Sequence, residues 1–126
     1  VFIRSRKQKL VSRSSTEAEL IALHDASPQV TWTRQLLEEL GHTQGPATLY
    51  QDNKSTIFMA ERGCGNFNRT RHIAVRYFSI RQLIENKAVA IKYLPTGQMK
   101  ADPMTKPITG NQFMEWRNEI LFQNPV

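Results

Sequence analysis

The chain has a single cysteine, Cys64, among 126 residues. It therefore cannot form an internal disulfide and lacks the second thiolate that a cysteine metal cluster needs, so the lone thiol reads as an inert or loop residue. No run of 18 or more apolar residues occurs, and no charged-then-apolar leader ends in a small-residue cleavage site. Neither a membrane span nor a secretory signal is expected, which predicts an intracellular protein with no membrane partner. Repeats and low-complexity segments are absent too. Acid is the scarcer charge, with 11 Asp and Glu against 17 Lys and Arg and a formal net charge of +6.

What remains is ordinary for one soluble folded domain, 40% hydrophobic and 22% charged, and long enough for a real core. The basic residues gather at Arg4, Arg6, Lys7, Lys9 and Arg13, and again at Arg69, Arg71, Arg76 and Arg81. Such clusters suit a polyanion such as nucleic acid, and they are also compatible with plain solubility.

The stretch Ser14-Ser15-Thr16-Glu17-Ala18-Glu19-Leu20-Ile21-Ala22-Leu23 organises the chain. Ser14 to Thr16 are good N-cap residues, and Glu17 and Glu19 lie in the first turns, where the helix dipole favours anions. At about 100° per residue, Ala18, Leu20, Ile21, Ala22, Leu23 and Ala26 share an apolar arc, opposite Glu17, His24 and Asp25. Glu19 falls in the middle of the apolar arc. A buried carboxylate needs a cation, either a Lys or Arg partner or a metal ion. Glu17 reads as a solvated first-turn acid.

Along the chain, Val1 to Arg13 reads as the end of one strand, a turn and a short second strand. A strand at the very start predicts neighbours supplied by a longer parent chain. The helix over 14–41 is expected to kink or restart at Ser27-Pro28 and to end at Gly41, with Trp32, Leu36 and Leu40 as its apolar stripe. Ala47 to Gln51 reads as a strand carrying Asp52 at its carboxyl end, and Asn53 to Thr56 opens a helix through about Glu61. Gly63 to Asn68 is a loop by composition. Thr70 to Asn86 is a helix with Ile73, Tyr77, Ile80 and Ile84 as core, and Val89, Ile91 and Tyr93 alternate as a strand. Pro95 to Gln98 is a turn, Ala101-Asp102-Pro103 begins a short helical segment, and Phe113, Trp116 and Ile120 mark a helix over 110–122. Trp32 and Trp116 both read as core, and His24 and His42 as surface residues.

Asp52 follows a strand and precedes a helix, at the sheet edge where α/β folds place ligands; it also fits a helix cap, as does Asp102 before Pro103. Glu19, Asp52 and Asp102 become informative together if they converge. Two unneutralised carboxylates about 4 Å apart repel by roughly 4 kcal/mol at an effective dielectric near 20, a cost that divalent cations remove. Oxygen-only ligands select Mg²⁺ or Mn²⁺, and a pair of such ions serves phosphodiester hydrolysis.

Five motifs taken in order, Ser14-Ser15-Thr16-Glu17-Ala18-Glu19, Trp32-Thr33-Arg34-Gln35-Leu36-Leu37, Gln51-Asp52-Asn53-Lys54-Ser55, Arg69-Thr70-Arg71-His72-Ile73 and Ala101-Asp102-Pro103-Met104-Thr105-Lys106-Pro107, resemble the C-terminal ribonuclease H region of copia-type retrotransposon polyproteins. The match spans nearly the whole chain. The resemblance implies an α/β fold of ribonuclease H type, a mixed sheet flanked by helices. It implies cleavage of the RNA strand of RNA–DNA hybrids during reverse transcription, with four acids and two Mg²⁺ or Mn²⁺ ions, beside the reverse transcriptase part of the parent polyprotein, in a cytoplasmic virus-like particle or the nucleus. By motif, Glu19, Asp52 and Asp102 are its second, third and fourth acids, catalytic and metal-binding. The family's first Asp lies on a strand before the stretch corresponding to Val1. The domain is accordingly expected to be truncated at its N-terminus, with 1–13 the remnant of a hairpin and 47–106 the remaining core.

The chain departs from the family at Ala74 and Phe78, where an Asp and a His are common, and at Arg71, where Lys is common. No His lies in the turn before Asp102 to shuttle a proton. Asn53, Arg69, Thr70, Arg71 and His72 are the expected nucleic-acid contacts: arginines to phosphates, Thr70 and Asn53 to the backbone or 2′-hydroxyls. The arginine-rich run also fits a solvated helix start capped by Thr70, and His72 a packed helix residue. As an isolated chain the domain is expected to be inactive. The alternative is a non-catalytic nucleic-acid-binding remnant of the same fold; an interaction module using the helix around Phe113 and Trp116 rests on amphipathicity alone.

Overall fold

Helix α1, Ser15–Glu39, starts where its hydroxyl and acid residues place it: Ser14 Oγ accepts from the Glu17 N–H at 3.2 Å, and Glu17 reaches back to accept from the Arg13 N–H at 2.7 Å. This is a reciprocal cap of the capping-box kind. Glu17 is therefore a structural acid. A computed structural model describes residues 3–62 and 71–121, except the side chain of His72.

Pro28 lies inside α1 without a restart. Proline lacks the N–H that would bond the His24 carbonyl, and the Ser27 hydroxyl donates to that carbonyl instead at 2.8 Å. The helix ends in the paired bonds of a Schellman motif, His42 N–H to the Leu37 carbonyl and Gly41 N–H to the Glu38 carbonyl, with Gly41 at φ +87° as the left-handed residue.

The remaining elements are β1 (Ala47–Gln51), α2 (Lys54–Arg62), α3 (Arg71–Glu85), β2 (Val89–Tyr93) and α4 (Asn111–Ile120), with 3-10 turns at Thr96–Gln98 and Asp102–Met104. Both strands and α2 to α4 match the sequence expectation to within two residues. The fold is α/β, and the described sheet has two strands, parallel, with Ala47 opposite Val89 and Gln51 opposite Tyr93. Residues 3–14 hold no strand, contrary to the hairpin expected over 1–13. Alternation gives a strand its face, but a strand persists only when a neighbour takes its backbone hydrogen bonds, and none of the described strands pairs there.

The chain divides into two units, Val11–Leu94 and the described parts of Val1–Leu10 with Pro95–Val126. In the first, Leu23 of α1, Ala60 of α2, Ile80 of α3 and Ile91 of β2 form one buried cluster, with Leu49, Ile57 and Ile84 packed against it. Ile73 and Tyr77 of α3 are buried as their spacing predicts. The α3–β2 turn has the same Schellman pairing as α1, but Lys87 takes the left-handed position at φ +54°. A side chain there costs about 1–2 kcal/mol, partly offset in a glycine variant by the greater freedom of the unfolded chain. Lys87→Gly is therefore expected to raise the unfolding free energy by about 0.5–1 kcal/mol in urea denaturation.

The expected stripe of Trp32, Leu36 and Leu40 is not core: the three are 58%, 38% and 65% exposed. The periodicity is real, but there is nothing to bury it against. Helix α1 has 25 residues, about 37 Å at 1.5 Å per residue, whereas each five-residue strand covers about 17 Å. Its buried residues stop at Ser27.

In the second unit, Trp116 of α4 is buried, as expected, and Lys100 is ion-paired to Glu119. Ile3, Pro103, Met104, Phe113, Trp116 and Ile120 border an apolar cavity of about 250 Å³.

Candidate functional site

At the carboxyl end of β1 the alternation of inward residues, Ala47 and Leu49, places a third inward side chain that is polar. Gln51 is 4% exposed. Its Nε2 donates to Glu19 Oε2 at 3.2 Å, and its Oε1 accepts from the Asn53 N–H at 3.1 Å. Because a backbone N–H only donates, the amide must present its oxygen to Asn53 and its NH₂ to the carboxylate. One side chain thus ties α1 to the strand end and to the start of α2.

Glu19 is half-buried, at the margin of the buried face rather than its middle. Ala22 and Ala26 are exposed, so the face is centred on Leu20 and Ser27, and Glu19 leans off its edge toward the strand end. Among the described residues its partner is the neutral Gln51 amide, and no Lys or Arg is paired with it. The salt-bridge alternative for Glu19 thus finds no partner among the described residues.

Asp52, half-buried, follows Gln51 directly. It is not the cap of α2. That role falls to Asn53, whose Oδ1 accepts from the Thr56 N–H at 3.1 Å and whose carbonyl accepts from the Ile57 N–H. Asn53 was expected to contact nucleic acid, and its side-chain oxygen is committed to the cap. Thr56, fully buried, donates its hydroxyl to the Thr16 carbonyl at 3.3 Å and fastens α2 to the first turn of α1. The Leu94 N–H closes the strand end on the Gln51 carbonyl at 3.0 Å.

Among the described residues of this unit, no three His, Cys, Asp or Glu side chains form a metal-holding group. The acids at the strand end are Glu19 and Asp52. Asp102 belongs to the other unit, where it opens a 3-10 turn and its Oδ2 is 2.8 Å from Lys106 Nζ. It is an ion-pair partner rather than a cap. Arg71 begins α3 and is exposed. Arg69, Thr70 and the side chain of His72 lie outside the described residues, as does Cys64.

Two features escaped the sequence reasoning. Gln51 was visible as an amide continuing an inward alternation, a signal that was there to be used. The second is a pair of cations on ring faces: Lys54 Nζ lies 4.7 Å from the Tyr93 ring centroid, and the Arg62 guanidinium 5.5 Å from that of Phe58. The pairing of Lys54 with Tyr93 had no sequence signal, since β2 lies beyond α3 in the chain.

Comparison with known proteins finds the chain similar to parts of much longer polyproteins. It is 34% identical over 109 residues to the Retrovirus-related Pol polyprotein from transposon TNT 1-94 of Nicotiana tabacum, covering 86% of this chain and 8% of that protein. It is 34% identical over 120 residues to the corresponding polyprotein from transposon RE1 of Arabidopsis thaliana, covering 92% of this chain and 8% of that protein. A Transposon Ty1-NL2 Gag-Pol polyprotein of Saccharomyces cerevisiae is 29% identical over 105 residues, 83% of this chain and 6% of the polyprotein. No family model and no solved structure matches the chain. Among the described residues, no helix is long and apolar enough to cross a membrane.

Proposed function

We propose that this chain, a homologue of one short segment of retrotransposon Pol polyproteins, is the ribonuclease H part of such a polyprotein, with a ribonuclease H-like fold that hydrolyses the RNA strand of an RNA–DNA hybrid. The observation that carries it is the Gln51 bridge. It brings Glu19, distant in the chain, to the strand end that bears Asp52, and leaves the Glu19 carboxylate unneutralised by any described cation.

The donors at that corner are carboxylate oxygens, which fits a hard divalent ion. By the resemblance Glu19, Asp52 and Asp102 are ligands of Mg²⁺ or Mn²⁺ together with the family's first acid; of these, Glu19 and Asp52 belong to the strand end. When bound, such ions lower the pKa of a water and offset charge on the phosphodiester oxygens. The chain's own contributions are positional. Gln51 fixes the Glu19 carboxylate, Asn53 caps the start of α2, and Arg69, Thr70, Arg71 and His72 take the nucleic-acid backbone.

A non-catalytic hybrid-binding remnant is favoured by one observation, the ion pair of Asp102 with Lys106, which gives that acid a partner other than a metal. A hybrid-cleavage assay separates the two. This chain is compared with one extended by the polyprotein segment ahead of it, each with an Asp52→Asn control. Mg²⁺-dependent cutting of the RNA strand by the extended chain, lost in Asp52→Asn while hybrid affinity is kept, is the expected result. Salt-sensitive binding without cutting by the extended chain establishes the remnant instead.

A further inference from the structure

We infer that the outer face of α2, together with Tyr93, is a track for one strand of a nucleic acid running away from the carboxyl end of β1. Lys54, Phe58 and Arg62 fall at positions i, i+4 and i+8 of one helix, hence on one face, about 6 Å apart along its axis. Lys54 lies over the ring of Tyr93, which is opposite Gln51 in the sheet register, so the row begins beside Asp52 and continues through Phe58 to Arg62. All four side chains face solvent, Phe58 at 57% and Tyr93 at 46% exposure.

The chemistry of the row selects the partner. Among the described residues neither Lys54 nor Arg62 is ion-paired with a carboxylate; each rests on a ring. A surface cation–π contact is weak and leaves the cation free to meet a phosphate. Large rings held half-open at the surface offer faces to sugars and bases, which stack on them whatever the sequence. An acidic peptide would satisfy the two cations and leave the rings unused. Alternation of cation and ring suits a backbone in which phosphate alternates with a flat or puckered apolar group. The overall surplus of positive charge acts in the same direction. The inference rests on the ribonuclease proposal only for which nucleic acid is bound in the cell; binding itself does not require cleavage.

The test is fluorescence anisotropy of a labelled oligothymidylate and a labelled RNA–DNA hybrid with the full 126-residue chain, over a salt series. Each variant's fold is checked by circular dichroism. Phe58→Ala is expected to weaken oligothymidylate binding about 5- to 150-fold, the range for loss of one stacking ring. The double variant Lys54→Gln, Arg62→Gln is expected to reduce the slope of log K against log salt by about 1.4 for the single strand. Leu40→Ser, on the exposed far end of α1, serves as control and is expected to change neither. Folded variants that bind like the parent, an equal loss in the control, or equally tight binding of polyglutamate with the same ranking of variants would each overturn the inference. Cleavage by the extended chain without these effects removes the track alone, and these effects without cleavage remove the ribonuclease proposal alone.

Discussion

Replacing Ile80 with alanine is expected to remove about 2–5 kcal/mol of unfolding free energy, a large share of the roughly 5–15 kcal/mol typical of a domain. Ile80 is 1% exposed and sits in the cluster where α1, α2, α3 and β2 meet through Leu23, Ala60 and Ile91. The cost has two parts, the lost transfer energy of the removed carbons and the cavity they leave. The cavity persists because the surrounding residues come from four separate elements that cannot all close on it together. Urea denaturation followed by circular dichroism measures the loss. Val75→Ala, on the same helix but with Val75 66% exposed, is expected to stay within about 0.5 kcal/mol of the parent. Similar losses in both variants would mean that α3 does not pack by the face described.

Two substitutions at Gln51 test the link between α1 and the strand end, one with a loss nearly independent of pH and one with a loss that grows with pH. Gln51→Leu leaves the Asn53 N–H and the Glu19 carboxylate without their partner, at a cost of about 2–4 kcal/mol for a buried donor left unsatisfied and a lost hydrogen bond to a charged group. That loss is expected to vary little with pH above the carboxylate range. Gln51→Glu keeps an acceptor for the Asn53 N–H but brings a second carboxylate to about the 3.2 Å at which the amide now meets Glu19. Full ionisation at that distance costs roughly 5 kcal/mol at an effective dielectric near 20.

Burial and the neighbouring charge raise the introduced carboxyl's folded pKa above its unfolded value of about 4.3. Below that value the proton replaces the amide hydrogen as donor to Glu19, and the variant is expected to approach the parent. As pH rises from about 4.3 to the raised folded pKa, the folded state holds more protons than the unfolded one, so stability relative to the parent falls, and above the folded pKa the loss is complete. Urea midpoints of the three proteins across a pH series give the comparison. A Gln51→Glu deficit that does not grow with pH is incompatible with the bridge.

Residue order alone determined the elements that carry their own punctuation. Ser14 and Glu17 start α1, Gly41 ends it, β1 was legible over Ala47 to Gln51 with Asp52 at its end, and the alternation of Val89, Ile91 and Tyr93 made β2 legible. These features are local, because caps and alternation depend on residues a few positions apart. The likeness to retrotransposon Pol polyproteins was legible in the same way, since motifs are read in chain order.

Tertiary structure decided everything that depended on what lies opposite. The stripe of Trp32, Leu36 and Leu40 has helical spacing yet faces solvent, because α1 outruns the short strands. Residues 3–14 alternate yet form no strand, because no described strand takes their hydrogen bonds. Glu19 stood out by its place on the helix wheel, but its partner, an amide 32 positions away, became visible only when β1 was laid against α1. A one-dimensional pattern states which face a side chain takes. Whether anything stands in front of that face is a property of the assembled chain, and at Gln51 it turned a strand-end amide into the tie between Glu19 of α1 and the start of α2.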